Sequence, residues 1–126
     1  MTRSPGLLVG LSCTALLLCA PVAASAQVSQ PAALNAYNYA LRCFAANTVT
    51  VSDARYNPNR QNDASLRQAA QRAYNAAQVM GGRLGYSGDR IAADITRSGN
   101  VEGDRMLRDD AYFQRTRADC IRLGML

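Results

Sequence analysis

"PAALNAYNYALRCFAANTVTV", residues 31 to 51, gives the strongest indication of the fold, because its larger side chains recur with the period of an α-helix. Pro31 suits the first turn of such a helix, where a backbone N–H has no partner. Alanines widen the resulting face on one side, and Cys43 lies at its edge. We therefore expect Cys43 to point toward a neighbouring helix. The face residues are spaced 3, 4, 3, 4 and 3 apart: Leu34, Tyr37, Leu41, Phe44, Thr48 and Val51.

A second helix is predicted from about Ala64 to Leu84, with a narrow face made mostly of alanine. Small side chains let a neighbouring helix approach toward the short end of the roughly 8 to 10 Å range of helix separations. Gly81 and Gly82 indicate close packing or early fraying, and Gly85 suits the end of the helix. The face residues are Leu66, Ala70, Ala73, Ala77, Met80 and Leu84.

A short third helix is predicted after residue 86. Ser87 is a good N-cap for it, and Ile91 and Ile95 form an apolar pair one turn apart. Gly99 would end this helix, because glycine is common just beyond a helix C-terminus.

The last helical region is predicted from Val101 to Leu123, with Asn100 as its cap and a kink or restart at Asp109-Asp110. Three side chains in it recur every seven residues and should face the same way: Met106, Phe113 and Cys120. Together these patterns predict an all-α fold, a small bundle of about four helices.

The first 26 residues have the three parts of a secretory signal peptide. Arg3 precedes an apolar run that ends before Pro21, and Ala24-Ser25-Ala26 supplies the small residues of a cleavage site. The run is shorter than the roughly 18 residues of a membrane-spanning helix. We expect cleavage after Ala26, no transmembrane segment in the cleaved chain, and a single helical domain over residues 27 to 126 in the periplasm or outside the cell.

Three alternatives to this processing stay open. Cleavage can also follow Ala24, and the apolar run could remain as an anchor. Cys19 could carry a lipid, although Leu18 stands where lipoprotein processing prefers a small residue.

Cleavage after Ala26 removes two of the four cysteines and leaves Cys43 and Cys120. Two cysteines in an exported chain most often form one disulfide, and this one would link the first and last helices of the bundle. The alternative is a reactive thiol, since Arg42, Arg117 and Arg122 would lower a thiol pKa. A metal site is disfavoured because the sequence contains no histidine to complete a tetrahedral set.

The missing histidine also removes the commonest general base, and no other catalytic pattern is recognisable. Asp94, Asp109 and Asp110 could act as acids or bases, but we interpret them as helix caps and solvated charges. We therefore predict a protein that is not an enzyme and that carries no cofactor or metal.

Arg108, Arg115 and Arg122 are spaced by seven and would align on one face of the last helix. Such an arginine strip could bind phosphate or carboxylate groups, because guanidinium pairs with both through two hydrogen bonds. The competing interpretation is a solvated face, since Asp104 and Asp119 lie at ion-pair spacing from these arginines.

Two functions from different classes follow from these features. We expect a non-enzymatic exported protein that uses a helix face to bind another envelope protein. The alternative is a cationic binder of anionic envelope material through the arginine strip, which the formal net charge of +5 favours. Export argues against nucleic acid as a partner. The six tyrosines of the chain suit a sugar or protein surface where they are exposed beside arginines, and otherwise form the rim of the core.

Overall fold

The computed structural model describes residues 28–58 and 64–126. The predicted signal segment, residues 1 to 26, lies outside this part of the chain, so its cleavage stays a prediction. Within the described residues the chain forms four α-helices and no strands: α1 (Gln30–Ser52), α2 (Ala64–Arg83), α3 (Gly88–Arg108) and α4 (Asp110–Arg122). The all-α prediction is therefore confirmed.

Local sequence signals determine several of the helix ends. The Ser87 hydroxyl accepts a hydrogen bond from the backbone N–H of Arg90, which makes Ser87 the N-cap of α3, as predicted. After α2 the chain reverses at Gly85, whose φ of 75° is a left-handed conformation that glycine adopts without strain. The N–H of Tyr86 then donates to the carbonyl of Gly81, 2.9 Å away, and closes the helix end.

Helix α1 is the centre of the bundle and packs against each of the other three helices. The Tyr37 hydroxyl meets Asp94 of α3, and Val49, further along α1, lies beside Gly103, so α1 and α3 run in the same direction. Cys43 of α1 is bonded to Cys120 near the end of α4, and the Cα atoms are 5.5 Å apart. The predicted disulfide between the first and last helices is therefore confirmed.

The core consists of two clusters of buried side chains that share α1. One surrounds the disulfide and contains Phe113 and Met106, both fully buried. The other lies nearer the start of α1 and contains Tyr37, Ile91 and Ile95. The seven-residue recurrence of Met106, Phe113 and Cys120 is thus a core pattern, as predicted, although a helix break separates Met106 from the other two.

The buried side of α1 differs in part from the predicted one. Ala40 and Cys43 are buried, as expected of the alanine side of the face and its edge, but Leu34 is 43% exposed, Thr48 is exposed and Asn47 is buried. The reason is close packing: the alanine face of α2 and Gly103 of α3 approach α1 directly, and this space accepts small side chains. Of the larger residues of the predicted face, Tyr37 is buried as expected, whereas Leu41 and Phe44 are only half-buried.

The buried face of α2 is likewise rotated from the prediction. Ala73 and Ala77 are buried as expected, but Ala69 and Gly81 complete the face in place of residues that are only half-buried. A Cβ added at Gly81 would lie 2.7 Å from Ile91, so Gly81 is a close-packing residue rather than a site of fraying.

The prediction that Gly99 ends the third helix is wrong, and Asn100 does not cap the next one. Helix α3 continues through both residues to Arg108. Glycine inside a helix costs about 1 kcal/mol relative to alanine. Burial of Ile91, Ile95 and Met106 along one side of α3 outweighs that cost.

The break between α3 and α4 lies at Asp109, in agreement with the predicted restart. Asp109 ends α3 in an extended conformation, with φ −125° and ψ 91°. Its carboxylate accepts a hydrogen bond from the backbone N–H of Tyr112 at 2.9 Å and so caps α4. One residue therefore terminates one helix and begins the next.

Residues 123 to 126 fold back over the core after α4. Gly124 has a φ of 68°, and the N–H of Met125 donates to the carbonyl of Cys120 at 2.8 Å. The amide of buried Asn47 donates to the carbonyl of Met125 at 2.8 Å, and Arg72 donates to that of Gly124. These bonds hold the segment against α1 and α2. Across residues 28–58 and 64–126, no helix is long and apolar enough to cross a membrane.

Candidate functional site

An open groove of about 700 Å³ lies between α1 and α3 and extends to Tyr112 of α4. Its walls include the partly exposed apolar side chains of Leu34, Leu41 and Val101. Among the described residues, the polar lining consists mainly of four arginines, two carboxylates and three tyrosines: Arg42, Arg90, Arg97, Arg105, Asp94, Glu102, Tyr37, Tyr86 and Tyr112.

Tyr37 connects the groove to the core. Its side chain is 2% exposed, and its ring packs edge-to-face on Tyr86 with 5.4 Å between centroids. The hydroxyl donates a hydrogen bond to Asp94 Oδ2 at 3.0 Å. Burial and this bond to a carboxylate raise the pKa of Tyr37 from 10.0 to about 12, so the hydroxyl stays protonated and holds Asp94 in place.

Asp94 is shared by two arginines of its own helix. Its Oδ1 lies 3.2 Å from Arg97 Nη1, and its Oδ2 lies 3.7 Å from Arg90 Nε. One carboxylate thus faces two guanidinium groups and a tyrosine hydroxyl. This part of the groove keeps an excess of positive charge.

The opposite end of the groove is formed across the helix break. The Tyr112 hydroxyl donates to Glu102 Oε2 at 2.6 Å, and the Arg105 guanidinium lies over the Tyr112 ring at 3.8 Å. Burial, followed by the bond to Glu102, raises the pKa of Tyr112. Because Asp109 reverses the chain between these residues, α4 can return Tyr112 to the side of α3 that carries Glu102 and Arg105.

Three arginines of the groove are stacked on tyrosine rings. Arg90 lies 3.5 Å from the Tyr86 ring centroid and Arg42 lies 4.9 Å from that of Tyr39, in addition to the Arg105 pair. Such contacts stabilise the cation and restrict its rotamers. Within residues 28–58 and 64–126, neither Arg42 nor Arg105 forms an ion pair. The edge of a stacked guanidinium can still take up a carboxylate or phosphate through two hydrogen bonds.

The predicted arginine strip is not on one helix. Arg108 is the last residue of α3, whereas Arg115 and Arg122 lie on α4, beyond the break at Asp109. Arg108 pairs with Asp104 at 3.3 Å and Arg122 pairs with Asp119 at 2.7 Å.

Arg115 has no ion pair within the described part of the chain, although its spacing from Asp119 predicts one. None of the three strip residues lines the groove. The strip is therefore divided between two helices, with Arg115 and Arg122 seven residues apart on α4 and Arg108 at the end of α3.

The other predicted candidates have structural roles in the described residues. Cys43 and Cys120 are fully buried and bonded to each other, so neither is a reactive thiol. Asp109 caps α4, and Asp110 accepts a hydrogen bond from the Tyr56 hydroxyl. Residues 28–58 and 64–126 contain no group of three histidine, cysteine or acidic side chains that could hold a metal ion.

Sequence reasoning did not find the groove, because its arginines come from two helices whose relative placement the sequence does not show. The available signal was local: Arg90 follows Tyr86 by four residues, and Tyr112 follows Arg105 by seven across the break. The expectation that exposed tyrosines beside arginines form a partner surface pointed in this direction without naming these pairs. Comparison with protein-family models, with curated proteins and with solved structures finds no match for this chain.

Proposed function

We propose that this chain is a non-enzymatic, exported interaction protein of the bacterial envelope or the surrounding medium, and that it binds a segment of another envelope protein in the groove between α1 and α3. One observation carries the proposal: Arg42 and Arg105 line the groove, are each stacked on a tyrosine ring and form no ion pair in the described residues. Grooves between helices that combine apolar walls with a few placed polar groups are common sites for peptide segments.

The state of the carboxylates supports binding rather than catalysis. Asp94 accepts from Tyr37 and faces two arginines, and Glu102 accepts from Tyr112. Both carboxylates are thus held by neighbouring side chains, which leaves neither free to act as a general acid or base. With no histidine in the sequence, proton transfer near neutral pH has no obvious carrier.

The disulfide supports export. A bond between two buried cysteines persists in oxidising compartments such as the periplasm, and it fits the predicted signal peptide.

The groove is a better candidate for binding than the arginine strip. Arg108 and Arg122 are neutralised by neighbours on their own helices, so anionic envelope material gains less from contact with them. The groove instead places four arginines beside the apolar side chains of Leu34 and Val101, which suits a chain segment that carries both acidic and aliphatic groups.

A photo-crosslinking residue in place of Val101 tests this function, because Val101 lies on the groove wall and is 62% exposed. Val79 of α2 is the matched control, since it is 52% exposed and does not line the groove. Both variants are exposed to an envelope extract from the source cells and irradiated. We expect one dominant protein adduct from position 101 and none from position 79. Equal adducts from the two positions, or no adduct from position 101, would contradict the proposal.

A further inference from the structure

The groove arginines also indicate what kind of segment binds there. We propose that the groove recognises an acidic protein segment, in which two carboxylates bind Arg42 and Arg105 and an aliphatic side chain packs on Leu34 and Val101. This inference rests on the proposed function and adds the chemistry of the partner.

The charge balance of the groove supports an acidic partner. Its lining contains four arginines and two carboxylates within the described residues. Asp94 is already committed to Arg90, Arg97 and the Tyr37 hydroxyl. Arg90 and Arg97 share this one carboxylate, so part of the excess positive charge lies there. The rest lies at the end of the groove that contains Arg42, Arg105 and Glu102, where neither arginine forms an ion pair in this part of the chain. A negatively charged partner would neutralise this excess positive charge.

The tyrosines prepare the two arginines for this role. A free arginine loses rotamer freedom when a partner immobilises it, and this loss weakens binding. Arg105 lies 3.8 Å from the Tyr112 ring centroid, and the half-buried Arg42 lies 4.9 Å from that of Tyr39, so much of this freedom is already lost. Stacking occupies a guanidinium face and leaves its edge for a carboxylate.

The stacked tyrosines disfavour nucleic acid as the partner. Single-stranded nucleic acids bind by stacking bases on aromatic rings, but Arg90 and Arg105 already cover faces of Tyr86 and Tyr112. Leu34 and Val101 are 43% and 62% exposed on the groove walls, which suits side chains of a peptide. A protein segment that carries both carboxylates and aliphatic groups fits all of these contacts.

Selection from a displayed random peptide library, with the full exported chain as bait, tests the inference. The expected result is enrichment of peptides with an excess of Asp and Glu next to aliphatic residues. A synthetic enriched peptide is then titrated by fluorescence anisotropy against Arg42→Gln/Arg105→Gln and against the control Arg108→Gln/Arg122→Gln, which removes the same charge. We expect Kd to rise about tenfold or more in the groove variant, equal to about 1.4 kcal/mol, and to stay within about twofold in the control.

A second variant, Arg42→Lys/Arg105→Lys, keeps the charge and removes the bidentate geometry. We expect the lysine variant to weaken binding less than the glutamine variant. If the glutamine variant fails to fold, the lysine variant still tests the inference. Equal loss in the groove and control variants would overturn the inference, because binding would then reflect net charge alone. Binding of anionic vesicles that depends on Arg42 and Arg105, without acidic peptides among the selected ones, would overturn it as well.

The crosslinker at position 101 distinguishes this inference from the proposed function. Enriched peptides that crosslink there but carry no acidic excess would overturn the inference and leave the proposed function intact. Peptides that do not crosslink at position 101 would overturn both.

Discussion

The hydroxyl of Tyr37 lies where the core of the bundle meets the groove, and its ionisation is coupled to folding. Its pKa is raised from 10.0 to about 12 in the folded protein, first by burial and then by Asp94. The folded state therefore keeps this proton in a range where the unfolded chain releases it. The resulting stabilisation is fully present below pH 10 and is lost as pH rises from 10 toward 12.

Replacement Tyr37→Phe should remove this part of the alkaline destabilisation. We expect the free energy of unfolding of the natural protein to fall more steeply between pH 10 and 12 than that of the variant. Urea unfolding across this range gives the comparison. Titration of tyrosinate absorbance in the folded protein should lose its highest-pH step in the variant. A folded natural protein whose tyrosines all titrate near pH 10 would contradict the prediction.

Gly81 and Gly82 are neighbours in α2 with opposite surroundings. A Cβ at Gly81 would lie 2.7 Å from two atoms of Ile91 and 3.0 Å from the Tyr37 ring, both in the buried core. We expect Gly81→Ala to lower the free energy of unfolding by about 1 to 3 kcal/mol through overpacking.

Gly82→Ala is the matched control, because a Cβ there meets nothing within 4 Å. It should raise stability by up to about 1 kcal/mol, since alanine favours the helix. Thermal or urea unfolding of both variants shows whether each substitution raises or lowers the free energy of unfolding. Equal effects at the two positions would contradict the close packing of α1, α2 and α3 at Gly81.

At the scale of the helix, periodicity predicted where α1 and α2 lie and part of each buried face, including Tyr37 and Ala77, but not the rotation of either helix. Helical periodicity is read from the larger apolar side chains, so it predicts that Leu34 is buried. The observed choice depends on the distance between helix axes, which the alanines of α2 make short. The disulfide could be predicted because the number of cysteines and the predicted export favour one pairing without any knowledge of packing.

Helix α3 continues through Gly99, which lies inside the helix and not at its end. A Cβ there meets nothing within 4 Å. We expect Gly99→Ala to stabilise the protein by about 1 kcal/mol, since alanine loses less backbone entropy in a helix. Urea unfolding measures this change. A loss of stability would mean that residue 99 needs a left-handed conformation, as the sequence pattern had indicated.

The whole molecule assembles its groove from three helices, and this explains why the arginine strip was predicted and the groove was not. The seven-residue spacing of the strip arginines is visible within one segment of the sequence. Arg42 and Arg105, in contrast, line the same groove only because α1 and α3 pack in parallel. The four arginines of the lining span residues 42 to 105, and the chain folds through α2 between them.

The export prediction also concerns the whole molecule. The Ala24-Ser25-Ala26 site leads us to expect an exported form that begins at Gln27. Intact-mass measurement of the protein recovered from periplasm or medium determines its first residue. A mass that retains the first 26 residues, or one that includes acyl chains on Cys19, would contradict this prediction.

The Cys43–Cys120 bond joins the first and last helices across 77 positions of the chain. In the chain-entropy model a link of this length removes roughly 4 to 5 kcal/mol of entropy from the unfolded state. We expect Cys120→Ser to lower the free energy of unfolding by about 2 to 5 kcal/mol, as measured in urea. The reduced natural protein is the control and should lose a similar amount. Unchanged stability in the variant would contradict this role.

The same variant separates stability from binding. Helices α1 and α3 supply most of the groove, and α4 contributes only Tyr112 to it within the described residues. The buried bond lies in the core cluster of Met106 and Phe113, and neither cysteine lines the groove. Below its melting temperature, Cys120→Ser should therefore bind a groove peptide with a Kd within about twofold of the natural protein, a difference of about 0.4 kcal/mol. A large loss of affinity in the folded variant would instead show that the position of α4, and with it Tyr112, controls the groove.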